Sequence, residues 1–84
     1  MSQLEKLPNI GKVVAGELEA VGIDTPEKLR AAGTKEAFLR LKQNDPNSCL
    51  HKLMGLEGAI QGIKKSELSP DKKAELKDFY SVYK

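Results

Sequence analysis

Cys49 and His51 are the one thiol and the one imidazole in the chain, and they stand two residues apart. A Cys or Ser nucleophile needs a base to take its proton and a third group to orient that base. Positions two apart on a helix face different ways, so this pair assembles no such relay. One Cys and one His also fall short of a zinc site's four ligands and of an intrachain disulfide. Paired carboxylates are open by spacing, but no pattern marks a cleft to hold them. On chemistry alone the chain reads as a binding module and not an enzyme, with no cofactor, no metal and no small-molecule substrate expected. Cys49 reads as a small core residue, and His51 as a polar surface or helix-end residue.

A second group of residues carries more chemistry. Leu7-Pro8-Asn9-Ile10-Gly11-Lys12, followed by Val13-Val14-Ala15-Gly16-Glu17-Leu18, has the plan of a helix-hairpin-helix, a tight turn leading into an apolar-faced helix. Gly11 permits a sharp bend at the helix start, where unpaired first-turn amides and the helix dipole favour an anion. Lys12 adds a cation beside that place, and Ile10 anchors the turn inward. Asn9, Gly11 and Lys12 are therefore the candidate nucleic-acid-binding residues. Asn9 stands where such hairpins commonly carry a second Gly, and Asn visits left-handed dihedrals less freely. The competing reading is a plain interhelical turn, with Val13, Val14 and Leu18 in the core. Glu5, Glu17 and Glu19 would oppose a duplex if they share the face of Lys12.

Gly55, Gly58 and Gly62 follow steps of three and four inside a helical pattern, where each costs about 1 kcal/mol relative to Ala. That spacing clears one side of the helix. Either another backbone packs there, or a protein partner docks, which makes the three a candidate protein-interaction face. Tyr80 and Tyr83, near Lys77 and Lys84, read as core aromatics or as stacking platforms for bases.

The elements that position these groups are all helical. Val, Ile, Thr, Phe and Tyr are sparse and no stretch alternates cleanly, whereas Ala, Leu, Glu and Lys dominate. The spacing predicts a short turn over 2–6, then a helix from about Lys12 to Val21 stopped by Gly22. Thr25-Pro26 opens the next helix, as hydroxyl cap and first-position proline, and Gly33 stops it. Thr34 caps a third, with Ala37, Phe38 and Leu41 on one face, and Asn44-Asp45-Pro46-Asn47 ends it. Asn47 or Ser48 caps the fourth and most central helix, whose stripe is Cys49, Leu53, Leu56, Ile60 and Ile63, widened by Leu50 and Met54. Ser69-Pro70 opens the last, which buries Leu76, Phe79, Tyr80 and Tyr83.

Eighty-four residues, 39% hydrophobic and 31% charged, fit one small domain spanning 1–84, a compact all-α bundle of about five helices. The charge of +2 comes from 14 basic and 12 acidic residues, so any anion binding must be local. No apolar run approaches a signal peptide or membrane span. The expected address is the cytoplasm.

Leu7-Pro8-Asn9-Ile10-Gly11-Lys12, Gly22-Ile23-Asp24-Thr25, Leu29 and Gly33 resemble the C-terminal domain of TfoX/Sxy proteins. So do the segment from Cys49-Leu50 to Gly58-Ala59-Ile60-Gln61-Gly62, and Leu68-Ser69-Pro70 with Leu76, Phe79 and Tyr80. The resemblance covers nearly the whole chain. It implies an all-helical domain with a helix-hairpin-helix-like (SAM-like) N-terminal half and no catalytic residues. It also implies a regulatory role linked to natural competence, the uptake of DNA in transformation, through a protein partner in transcription. Family members often carry an α/β domain ahead of this one; here Met1 stands just before the hairpin, so a stand-alone copy is expected. Where an aromatic residue is expected after the long helix, this sequence has Lys64-Lys65-Ser66-Glu67. The expectation is a protein-interaction or transcription-accessory module. The alternative is a weak, non-sequence-specific binder of nucleic-acid backbone through the hairpin at Asn9–Lys12.

Overall fold

Thr25-Pro26 is the strongest start signal in the sequence. In the computed structural model, which describes residues 3–45 and 48–83, the Thr25 hydroxyl accepts the Lys28 amide at 3.1 Å and Pro26 is the first helical residue. This is helix α2, Pro26–Ala32. Ahead of it come a 3-10 turn, Gln3–Lys6, and helix α1, Lys12–Ala20. After it come α3, Thr34–Asn44, and α4, Leu50–Gln61. A second 3-10 turn, Lys65–Glu67, leads into α5, Pro70–Tyr83, where the Ser69 hydroxyl accepts the Lys72 amide at 3.1 Å. Among the described residues there are five α-helices and no strand; the fold is the all-α one expected.

The stops follow from backbone chemistry. At the end of α1, Gly22 takes φ +85, its amide donates to Glu19, and the Ile23 amide donates to Leu18 at 2.9 Å. The end of α4 repeats the device: Gly62 has φ +79, its amide donates to Ala59, and the Ile63 amide donates to Gly58 at 2.9 Å. Both are paired C-terminal bonds around a left-handed residue, a conformation that costs Gly little.

Four local expectations are corrected. Thr34 does not cap α3. Gly33 holds the cap position, and the Thr34 hydroxyl, buried, donates instead to Glu57 Oε1 at 2.8 Å, tying α3 to α4. Cys49, placed on the apolar stripe by its spacing, is the N-cap of α4 and exposed; a cap lies outside the helix, so the three-four period does not reach it. Ser48 precedes that cap and is buried, and the alternative cap Asn47, with Pro46, lies outside the described residues. Val13 is 76% exposed and not in the core, because it sits about 200° around α1 from buried Ala15.

The core gathers Leu4, Leu18, Ile23, Leu29, Phe38, Leu41, Leu53, Leu56 and Leu76. Helix α4 packs against α2, α3, α5 and the second 3-10 turn, the central place its stripe predicted. Fully buried Phe38 meets Phe79 edge-on at 6.5 Å and Tyr80 at 6.0 Å, joining α3 to α5 through ring contacts. Tyr83, expected to be buried, is 47% exposed; it lies at the rim of this cluster, its ring tilted against Phe79 at 4.7 Å. Among the described residues no helix is long and apolar enough to cross a membrane.

A clamped hairpin and an acidic groove

The hairpin between the first 3-10 turn and α1 turns on Asn9. Its φ is +68, the one positive value among the described non-glycine residues. Gly11 has φ −95 and ψ −176, ordinary extended backbone, and a Cβ there would meet nothing within 4 Å. The corner expected of Gly11 therefore belongs to Asn9, a residue whose short amide makes the left-handed region tolerable.

That amide is fully engaged. Asn9 Nδ2 donates to the Ile63 carbonyl at 3.1 Å and to the Gly55 carbonyl at 3.4 Å, and Oδ1 accepts the Lys65 amide at 3.1 Å. One side chain thus clamps the hairpin to α4 and to the chain leaving it. The glycines beneath it explain themselves. A Cβ on Gly55 would lie 3.4 Å from Asn9 Cβ; one on Gly58 would lie 2.5 Å from Asn9 Nδ2 and 2.7 Å from the Ile63 oxygen. Both are buried, so the space they clear is filled by the hairpin and is not open to a partner. Gly62 lies outside α4, at its left-handed cap, with open space around it. The three glycines do not form one docking face.

Lys12, at the start of α1, is exposed and lines an open groove of about 650 Å³. The floor is Ala15 and Gly16; the rim carries Gln3, Glu5, Glu19, Asp24 and Thr25. Three carboxylates thus share the groove with one ammonium. Asp24 is bonded to Lys28 Nζ at 2.8 Å, and that hydrogen bond, with the Lys28 charge, holds its carboxyl below the usual range. Gly16 is exposed, and a Cβ there would meet nothing within 4 Å, so no packing inside the molecule requires it. Beside it on the outward side of α1 are exposed Val13 and Ala20.

Glu17 is not in this groove. It pairs with Lys52 Nζ at 2.9 Å, and Lys52 also reaches Asp45 at 3.8 Å and Ser48 Oγ at 3.5 Å. The Lys52 side chain is only 16% exposed, so this bridge joins α1, α4 and the connection before α4. Nothing in the sequence spacing marks it. No group of three or more described His, Cys, Asp or Glu residues could hold a metal ion.

Five short helices with a tight left-handed hairpin clamped to the central one define a small all-helical fold. The whole chain but its end, residues 1–80, matches the TfoX C-terminal domain, and the chain belongs to that family. Two crystal structures from Listeria monocytogenes are close in shape. One, an uncharacterized protein in a triclinic form, is 49% identical, with a TM-score of 0.93 over 94% of this chain and 90% of that one. The other, a protein of unknown function in a tetragonal form, is 48% identical, with a TM-score of 0.92 over 95% and 99%. Among curated proteins no match is found.

Proposed function

We propose that this chain is a regulatory binding module that acts by docking a protein partner at the α1 groove, in a transcription-accessory role linked to natural competence, and that it is not an enzyme. One observation carries the choice of a protein over a nucleic acid at this place: Lys12 shares its groove with Glu5, Glu19 and Asp24. A phosphate brought to Lys12 meets the carboxylates of Glu5 and Glu19, with Asp24 already paired to Lys28, and like-charge juxtaposition is a strong negative selector. Asn9, the second residue of the nucleic-acid reading, has its amide bonded to Gly55, Ile63 and Lys65 and offers little to a phosphate. A protein segment suits the same surface, since the groove has a small apolar floor and a polar rim and runs beside exposed Val13. The partner acts where the protein is made, which we take to be the cytoplasm.

The test is a photo-crosslinking side chain at Val13 in the native cell, with the adduct identified by mass spectrometry. A discrete protein adduct with a transcription component is expected. Gly16→Leu, which fills the groove floor while improving helix propensity, should remove that adduct without unfolding the domain and should lower transformation frequency. An adduct indifferent to Gly16→Leu, or one formed with DNA, would contradict the proposal.

A further inference from the structure

A second group of cations lies elsewhere, on the stretch from the end of α4 into α5. Among the described residues, none of Lys64, Lys65, Lys73 and Lys77 takes part in an ion pair. The fold brings them to one edge. The Asn9 clamp fixes the Lys65 amide at 3.1 Å, and the 3-10 turn follows it directly. Lys73 Nζ then donates to the Ser66 carbonyl at 3.5 Å, which sets the second turn of α5 beside that 3-10 turn. Lys77 stands one helical turn farther along the same face, about 6 Å on. Of the nearest acids, exposed Asp78 follows Lys77 directly and points about 100° around α5 from it; two others have different duties. Glu67 accepts the Lys64 amide at 3.1 Å, and Asp71 sits in the first turn of α5, where a carboxylate complements the helix dipole.

We propose that this edge, Lys64, Lys65, Lys73 and Lys77, binds the phosphate backbone of duplex DNA without reading sequence, independently of the groove at α1. The composition of the edge selects a phosphate backbone over an acidic protein. Protein interfaces are built on buried aromatic or aliphatic anchors and are depleted in Lys. This edge presents lysines and no exposed large hydrophobic residue, since the described ones are Val13, Val82 and Tyr83. Flexible ammonium groups that follow charge with no other demand are what backbone contacts use. With the groove facing a protein and this edge facing DNA, the two surfaces are separate.

Fluorescence anisotropy of a labelled 20-base-pair duplex of arbitrary sequence, titrated with the full chain, tests this. At about 50 mM salt binding is expected, weakening with a log–log salt slope of about −3, since four contacts set a limit near −3.6. Lys64→Glu/Lys65→Glu and, separately, Lys73→Glu/Lys77→Glu should each weaken binding at least tenfold and flatten the slope by about 2. Lys64, Lys65 and Lys77 are exposed and Lys73 is half-buried with one long hydrogen bond to the Ser66 carbonyl, so circular dichroism, which checks the fold of each variant, should be unchanged. Lys12→Glu should alter affinity less than twofold. The proposal is overturned by absence of binding at that salt, by equal binding of either double variant, or by a polyglutamate peptide binding as tightly as the duplex.

Discussion

Two glycines on two helices should respond in opposite ways to the same change. A mid-helix Gly→Ala substitution gains about 1 kcal/mol when space is free. At Gly16 it is free, since a Cβ meets nothing within 4 Å, so Gly16→Ala should stabilise by about that amount. At Gly58 the added Cβ would lie 2.5 Å from Asn9 Nδ2, 2.7 Å from the Ile63 oxygen and 3.2 Å from the Lys65 amide nitrogen. The Asn9 amide can swing aside only by giving up its bonds to Ile63 and Lys65, about 1 kcal/mol each. The Ile63 oxygen is backbone in the loop that closes α4 and has little room to retreat. Overpacking of this kind costs about 1 to 3 kcal/mol; the loss of one Asn9 bond, about 1 kcal/mol, cancels the gain in propensity, so the net loss is about 1 to 3 kcal/mol. For a domain of this size, 1 kcal/mol moves Tm by about 4 to 8 °C. Thermal melts followed by circular dichroism should therefore show Gly16→Ala melting about 4 to 8 °C above wild type and Gly58→Ala roughly 5 to 20 °C below it. A Gly58→Ala protein as stable as wild type would refute the clamp.

Asn9→Gly keeps the left-handed corner but loses the clamp, and Asn9→Ala loses both; in urea titrations the first should cost about 1 kcal/mol and the second about 2 to 3. Lys52→Met strands the partly buried Glu17 and should cost about 1 to 2 kcal/mol, between the values of exposed and buried pairs, whereas the same change at Lys12 should leave stability within about 0.5 kcal/mol. Asp24 and Glu75 have carboxyl pKa values lowered by their lysine partners, Lys28 for the first and Lys35 with Lys72 for the second. Depressed values contribute stability that is present above the unfolded pKa of about 4 and lost as pH falls through the lower folded values. Asp24→Asn/Glu75→Gln should flatten the acid limb of a stability–pH curve below about pH 4 and leave it unchanged at pH 7 in high salt, since both groups are at the surface.

The fold was legible because its signals are local. Thr25-Pro26 and Ser69-Pro70 start helices, Gly22 and Gly33 end them, and the three-four spacing of Leu53, Leu56 and Ile60 marks the central helix, all within a few residues of sequence. The site was legible only in part. Gly55 and Gly58 announced a close approach, but what approaches is a side chain 46 residues away from Gly55, and no spacing rule spans that distance. Asn9 was read as an imperfect glycine because its use lies in a contact with Ile63 and Lys65. The groove was legible in part: Glu5 and Glu19 are near Lys12 in sequence, but Glu17 turns away to Lys52 and Asp24 joins from beyond α1 only through the fold. Lys64 and Lys65 come beside Lys73 only through the fold, by the contact of Lys73 with Ser66.

The central claim is that the hairpin faces a protein and is not a phosphate seat. Backbone amide shifts of the isotope-labelled chain, followed by NMR during titration with duplex DNA at low salt, test it at single residues. The account predicts that the amides of residues 11–14 stay in place while any saturable shifts fall at 64–66, 73 and 77. Saturable shifts centred on 11–14, lost with Lys12→Glu, would contradict it.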